Sequence, residues 1–430
     1  MPETQVSAVE LVSRARALSE ERCTLETYQL TLLGPLVSSH RDRTLKPTFY
    51  EFFAGGGMAR AGLGRDWDCV FANDFDHKKS STYRHNWGDG ELLTGDVRAV
   101  APEHLPGRAN LVWASFPCQD LSLAGAGAGL KGDRSGTFWP FWEVMKGLIA
   151  DGRSPEIIAL ENVIGTLHSH DGKDFAVICS AFRDAGYRFG AMVIDASLFV
   201  PQSRPRLFIL GIRGDVSIPE TIRRETPSPA WHTRALRTAF EKLSPEEQRD
   251  WIWWDMPAPP PRTTTFADLV EAQPTGVRWH TPEETQQLLG MMSAINRAKV
   301  EDAQARSTAM GRRLVGAIYK RTRRDENGNK VQRAEVRFDD IAGCLRTPAG
   351  GSSRQLIIVV DGERVRSRLI STRETARLMG LPEDYALPAN YNEAYHLTGD
   401  GVAVPVVRYI AQHIFSSVMA MLKPLSREAA

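Results

Sequence analysis

The chain has 430 residues, of which 42% are hydrophobic and 24% charged, with a formal net charge of +1. That suits a large globular domain with a second, smaller unit. It excludes coating of nucleic acid through bulk charge, while leaving room for a local basic face.

No window approaches a membrane-spanning apolar stretch, and the opening "MPETQVSAVELVSRARALSEER" lacks an apolar signal core. The expectation is therefore a cytoplasmic protein with no membrane partner. The five cysteines (Cys23, Cys69, Cys118, Cys179, Cys344) are scattered, with no C-x-x-C pair, and the ten histidines show no metal-ligand spacing. This is neither a disulfide framework nor a zinc cluster, and no metal is expected.

Residues 1–46 read as an amphipathic helical extension without a motif. From 47 the pattern becomes short β-rich runs, "TFYEFF", "CVFAN", "NLVWAS", "EIIALEN", "FGAMVIDA" and "RLFILGI", separated by helical stretches such as "FWPFWEVMKGLIA". Such alternation predicts an α/β fold over 47–214, a doubly wound, mostly parallel sheet.

The first strand runs into "FFAGGGMARAGLG", a glycine turn that opens a helix. Glycines let the backbone approach a ligand closely, and the helix start offers free N–H groups. Asp74 stands 19 residues after Gly55 at the end of the next strand, where a carboxylate can hold a ribose hydroxyl. The third glycine of G-x-G-x-x-G is replaced by Arg60, so a ligand with adenosine but no pyrophosphate fits better, which points to S-adenosylmethionine. A purely structural strand–turn–helix is the competing reading.

The fourth run delivers Cys118 in "ASFPCQDLSLAG". With redox and metal roles set aside by the cysteine pattern, a buried core thiol and a nucleophile remain. "ENV" (161–163) ends the next run and "QSRPRLFILG" (202–211) opens a later one. Strand ends in an open α/β sheet converge on one crevice, so Cys118, Glu161 and the glycine loop are expected to meet.

The strand rhythm stops near 214. Residues 215–340 read as a separate, irregular unit. It holds the tryptophan patch "WIWWD" (251–255), the extended "PAPPPR", and a basic stretch over 312–337 with nine Lys/Arg against three acids. "DENGN" (325–329) predicts a hairpin turn inside that stretch. The tryptophans suit a small core better than a base-stacking platform. Regular structure returns with "TRETARLMGLP" and the apolar run that follows "GDGVAVPVV".

With these blocks in place, the chain resembles the bacterial cytosine-C5 DNA methyltransferases, from about 48 to 425 apart from the variable middle. "FFAGGGMA", "ANDFD", "TGDV", "FPCQDLS", "DRSGTF", "ENV", "QSRPR", "GCLRTPAGG" and "GDGVAVPVV" follow the family's order. The resemblance implies a Rossmann-like, S-adenosylmethionine-dependent fold with a smaller target-recognition domain. The implied divisions are a catalytic and cofactor-binding domain over 47–214, a target-recognition domain over 215–390, and a segment over 391–430 that returns to the catalytic domain.

It further implies that the Cys118 thiolate adds to C6 of a cytosine flipped out of the duplex, making C5 nucleophilic toward the sulfonium methyl group. Glu161 holds and helps protonate N3, Arg206 contacts O2 with Arg204 beside it as support, and loss of the C5 proton expels Cys118. For the cofactor it implies Phe53, Gly55 and Gly57 around the methionine part, Asp74 on the ribose, Phe75 against adenine and Asp96 on the adenine amino group. Pro117, Phe138 and Asp400 complete that set. Gln119 and Ser122 begin the loop that closes over DNA, and the basic stretch with Arg321, Arg323 and Arg324 falls where the family keeps its recognition region, so it is expected to contact phosphates first and bases second.

Double-stranded DNA is the implied partner, the chain a monomer, and a cognate restriction endonuclease or an orphan bacterial or phage context the setting. Two departures are visible: "GDGVAV" carries Asp400 in place of the usual asparagine with an added residue, and "DRSGTF" reverses the commoner Ser-Arg order. A rival within the enzymes is tRNA cytosine methylation by the eukaryotic-type branch, which carries Cys-Phe-Thr after the "ENV" strand, where this chain reads "HSHDGKDF". A catalytically silent DNA-binding relative would need to lack the nucleophile or the acid, and both are present. The other four cysteines are expected only to pack.

Overall fold

The computed structural model of the chain describes residues 46–117, 135–346 and 354–422. Seven strands form the main sheet: β1 Thr48–Phe52, β2 Asp68–Asp74, β3 Leu92–Thr94, β4 Leu111–Ala114, β5 Ile157–Val163, β6 Tyr187–Asp195 and β7 Pro205–Arg213. Their order is β3-β2-β1-β4-β5-β7-β6. All neighbours pair in parallel except β7, which runs antiparallel to both β5 and β6. Six of the seven strands coincide with the β-rich runs of the sequence. The three-residue β3 was not expected, because its apolar signal is only Leu92 and Leu93.

Both faces of this sheet are covered, as near-continuous apolar strands require. The helices Phe138–Ala150 and Lys173–Asp184 bury one face, through Phe141, Trp142, Met145, Phe175, Ile178 and Phe182. On the other face lie the helix Met58–Leu63 and the C-terminal helical segment, packed through Val407, Ile410, Ile414 and Phe415. That segment corrects one expectation. The run Tyr391–Met421 is long and apolar enough, by composition, to cross a membrane. Its apolarity has a different cause here, since Val407, Ile410, Ile414, Phe415 and Val418 are wholly buried against the sheet, and a helix buried on most sides reads as apolar all round.

A two-stranded ribbon, β8 Arg223–Arg224 with β9 Trp253–Trp254, follows. The tryptophan patch is core, but it extends the main core rather than forming a small one of its own. Trp254 is wholly buried in the cluster on one face of the main sheet, and Trp251 packs on the cluster of the other face, 5–6 Å, ring to ring, from Phe175, Phe189, Phe240 and Trp253. A second, antiparallel sheet is built from β10 Leu314–Arg324, β11 Lys330–Arg337, β12 Leu356–Asp361 and β13 Arg364–Leu369, in the order β11-β10-β12-β13. The turn between β10 and β11 falls on residues 325–329, where Asp325 accepts from the backbone N–H of Asn327 and Asn329 and Gly328 takes a positive φ of 82°.

Strand β12 shows how this sheet joins the rest. Ile357 and Val359 belong to the main core, whereas Leu356, Ile358 and Val360 face a separate cluster with Val300 and Ala303 of the helix Ala294–Met310. With period-two alternation, both faces of β12 are therefore buried.

An ion pair with no solvent exposure pins the end of β13. Arg368 donates to both carboxylate oxygens of Glu374 (2.6 and 2.8 Å) and to the carbonyl of Glu271. Trp279 lies against the same guanidinium at 4.8 Å and against that of Arg366 at 4.1 Å. Removing one member strands a buried charge, which costs about 3–5 kcal/mol. Arg368→Met should therefore lower the melting temperature strongly, and Arg368→Met with Glu374→Met should recover much of the loss. Thermal unfolding of the two variants side by side is the check.

Candidate active site

The glycine loop leaves β1 through a backbone held in the left-handed region at three of five residues: Phe53 (φ 57°), Gly55 (φ 56°) and Gly57 (φ 78°). A non-glycine residue there costs on the order of 1–3 kcal/mol and persists only where its surroundings impose it. The imposition is visible. The Gly56 carbonyl accepts from both Trp87 Nε1 (2.9 Å) and the Tyr385 hydroxyl (2.7 Å). A Cβ on Gly56 would fall 2.3 Å from the Tyr385 oxygen, and one on Gly57 would fall 2.3 Å from Trp87 Nε1. Gly55 differs, because a Cβ there would meet no described atom within 4 Å. The loop is clamped behind and open at Gly55.

Asp74, at the end of β2, is buried and accepts from the Gly55 N–H (2.7 Å) and the Asp76 N–H (2.8 Å). Burial pushes its carboxyl above the usual range, opposed by the nearby Lys79. Next to it, Phe75 is 73% exposed, so its ring face is open to stack on a planar ligand. Phe75 lines a cavity of about 630 Å³ together with Lys79, Gly95, Pro388, Asn392 and His396. Asp96 follows Gly95, caps a short helical turn and pairs with Arg98 at 3.1 Å.

A ring-sized aromatic face, a strand-end carboxylate and an open glycine form a set that fits an adenosine-bearing cofactor. Glu51, beneath the loop, is buried and its carboxyl is pushed up to about 8, chiefly by that burial. Phe138 stands apart from the cavity lining. It is wholly buried, stacked on Trp142 and tilted against Phe116.

At the neighbouring strand ends, β4 leads through Phe116 to Pro117, which is half-buried. Cys118, Gln119 and Ser122 lie outside the described residues. Glu161 is buried at the end of β5. Because β7 is antiparallel to β5, its first residues lie beside the last residues of β5, with Val163 opposite Arg206 and Glu161 opposite Phe208. Arg206 and Glu161 are thus diagonal neighbours on one face, and Arg206 Nε meets Glu161 Oε1 at 3.1 Å. Asn162 faces the other way, donating to the Phe116 carbonyl (3.1 Å) and accepting from Thr166. It ties the β4 exit to the end of β5.

Arg204 is 2% exposed. Its guanidinium donates to the carbonyls of Leu345 (3.3 Å), Gly399 (2.9 Å) and Gly401 (2.6 Å), and its backbone N–H to Asp195. It therefore cross-links segments rather than facing open space. Beside both arginines lies Cys344, 3.5 Å from Arg204 Nη1 and 4.0 Å from Arg206 Nη2. Burial raises its thiol, but the two guanidiniums outweigh that and bring it below the ordinary cysteine range. The sequence marked Cys344 only as packing; nothing in its local pattern announces arginines that arrive from residues 204 and 206. Cys179, by contrast, is wholly buried among apolar side chains.

Asp400 pairs with Lys79 at 2.7 Å. Arg321, Arg323 and Arg324 lie on the exposed outer half of β10, where Arg321 (3.2 Å) and Arg323 both pair with Glu335 of β11 and Arg324 donates to the Gly328 carbonyl.

Comparison with known proteins accords with this arrangement. Residues 47–416 match the model of the C-5 cytosine-specific DNA methylase family. The chain is 26% identical over 373 residues to the type II methyltransferase M.BsuFI of Bacillus subtilis, covering 86% of this chain and 73% of that one. It is 24% identical over 411 residues to M.HpaII of Haemophilus parainfluenzae, covering 91% and 94%. In fold it is similar to the Dnmt2 methyltransferase of S. pombe, with a TM-score of 0.54 at 16% identity over 88% of this chain and all of that one. A DNMT2 variant from Spodoptera frugiperda gives 0.56 at 15%, over 87% and 99%. The match to the family model spans most of the sequence and both sheets: the chain belongs to the C-5 cytosine-specific DNA methylases, enzymes that use S-adenosylmethionine.

Proposed function

We propose that the chain methylates a cytosine at C5 within one particular sequence of double-stranded DNA, with Cys118 as the nucleophile. The observation that carries this reading is the Glu161–Arg206 pair, set one strand over from the β4 exit that leads into Cys118. It supplies a carboxyl and a guanidinium on one face, as recognition of a cytosine's N3 and O2 demands. When bound, S-adenosylmethionine supplies an electrophilic methyl group. The Cys118 thiolate forms a bond to C6, and the charge that builds on the ring is relieved by a proton that Glu161 holds at N3. Arg206 donates to O2 and keeps Glu161 oriented. After C5 has gained its methyl group, a base removes the C5 proton, the C6–S bond breaks, and the electron pair restores the ring. Stacked in a duplex the cytosine could not receive these groups, so it is flipped out.

The cofactor would lie against Gly55, Asp74 and Phe75, with Phe53, Gly57, Asp96 and Pro117 completing the set, whereas Phe138 is wholly buried among aromatic side chains and Asp400 is held by Lys79. Residues 215–390 act as the target-recognition domain, with 391–430 returning to the catalytic domain 47–214. Arg321, Arg323 and Arg324 contact DNA phosphates, and Gln119 and Ser122 act from the closing loop. The enzyme works as a cytoplasmic monomer. It is either paired with a restriction endonuclease, as the type II names of its relatives suggest, or an orphan methylase of a bacterium or phage.

Bisulfite sequencing of DNA from cells expressing the chain should show conversion-resistant cytosines at one recurring sequence; none would overturn the reading. DNA bearing 5-fluorocytosine at that site should give a gel-stable covalent adduct, because fluorine at C5 blocks the elimination, and Cys118→Ser should give none while still binding cofactor. Glu161→Gln should keep the fold and lower kcat about 100-fold or more, measured by transfer of a tritiated methyl group.

A further inference from the structure

Lys79 stands on the first turn of the helix His77–Trp87, directly after the strand that ends in Asp74. Its ammonium is half-buried and meets Asp400 Oδ2 at 2.7 Å, across 321 residues of sequence. Asp74 also acts on the Lys79 charge, and burial, which by itself would lower the lysine's pKa, is outweighed by these carboxylates. On its other side, the turn that carries Asp400 is held by Arg204, which takes the carbonyls of Gly399 and Gly401. Contacts therefore run from Arg204 through the 399–401 turn to Lys79, and the Asp74 carboxylate, which accepts from the Gly55 N–H, acts on the same ammonium through its charge. The same helix makes two further ties to the C-terminal segment, Lys78 with Glu393 at 2.8 Å and Asn86 with both backbone groups of Ala386. The cavity lined by Phe75 and Lys79 lies where these elements face one another.

We propose that Lys79 and Asp400 are a matched pair of positioning residues: the lysine neutralises the aspartate that this chain carries in its "GDGVAV" turn and holds that turn against the cofactor-binding carboxylate Asp74. The inference rests on the cofactor site assigned above. A neutral side chain at 400 would need no such partner. With Lys79 absent, Asp400 would lose the ammonium that meets it at 2.7 Å, and the 399–401 turn would lose its tie to the helix that follows Asp74 while keeping the one to Arg204.

A double-mutant cycle tests this, read as the dissociation constant of the full-length chain for S-adenosylhomocysteine by titration calorimetry. Lys79→Met should weaken binding about five- to tenfold. Asp400→Asn alone should weaken it less than threefold, and the two together should return binding to within threefold of the unmodified chain. Lys79→Arg, which keeps the charge, should also stay within threefold. With Lys79→Met the KM for cofactor should rise while the KM for DNA stays within twofold. A change under twofold in Lys79→Met, or a double variant no better than Lys79→Met, would overturn the pairing while leaving the cofactor site standing. An unmodified chain that fails to bind S-adenosylhomocysteine would overturn the site itself and the pairing with it. Thermal unfolding of each variant separates lost binding from lost folding.

Discussion

The buried guanidinium of Arg204 is the contact on which the rest of the site depends. A charge taken out of water is tolerated only when its donors are satisfied. Arg204 meets most of that demand with three carbonyls from two places, Leu345 after the second sheet's first hairpin and Gly399 and Gly401 in the C-terminal turn, while its Nε stays buried without a partner. One side chain thereby fixes the strand start that carries Arg206, the segment that carries Cys344 and the turn that carries Asp400. Neither of those last two segments belongs to the main sheet, so sheet pairing alone could not hold them there. The neighbouring backbone contributes in the same sense: the Ser203 N–H donates to the Ala342 carbonyl, the Ala342 N–H donates to the Pro201 carbonyl, and Gln202 reaches both Leu345 and Leu378. Arg204 thus ties segments together, whereas Arg206 keeps part of its guanidinium on Glu161.

The reversal of β7 has a chemical consequence. In a wholly parallel sheet the residues that open a strand lie at the edge opposite the ligand crevice. Running β7 antiparallel to β5 brings its opening residues to the crevice edge, where Glu161 stands two residues before the end of β5. The arginines of "QSRPR" can then act at the same edge as Asp74, at the end of β2, and Pro117, just beyond β4. The second sheet is attached at this edge too, through the bridge between Gln202 and Ala342. The residues proposed for base chemistry and cofactor binding and the attachment of the second sheet therefore share one edge of the main sheet.

Most of this was legible in the sequence because its signals are local. Six strands announced themselves as apolar runs, the glycine loop by composition, and the 325–329 turn by "DENGN". Glu161 could be placed because strand ends in an α/β sheet converge, whereas Arg206, which opens a strand, was placed by the family resemblance alone. What was not legible depends on contacts between distant residues. The short β3 has too few apolar residues to show a period. Lys79 lies in a polar helix, and only its meeting with Asp400 gives it meaning. Cys344 looked like one more packing thiol until Arg204 and Arg206 closed around it. Phe138 falls at the family's cofactor position in the alignment of blocks, yet the structure buries it among Phe116, Phe141 and Trp142, because the helix it opens carries its aromatic face into the sheet. The apolar C-terminal run shows the converse: composition alone cannot tell a core helix from a membrane span, and only its burial does.

The hairpin of the second sheet illustrates how a nearly neutral chain can still engage a polyanion. Its arginines are not all uncommitted, since Glu335 accepts from both Arg321 and Arg323. Those pairs are half-exposed, however, and exposed ion pairs contribute only about 0–1 kcal/mol. A phosphate offers the same guanidiniums a charge-assisted contact with counterion release in addition. Exchange of Glu335 for a phosphate would therefore be cheap on the protein's side, and the carboxylate holds the two arginines along β10. Nine Lys/Arg against three acids over 312–337 leave this stretch net positive, a surplus that suits the DNA contact proposed above without the whole molecule being basic.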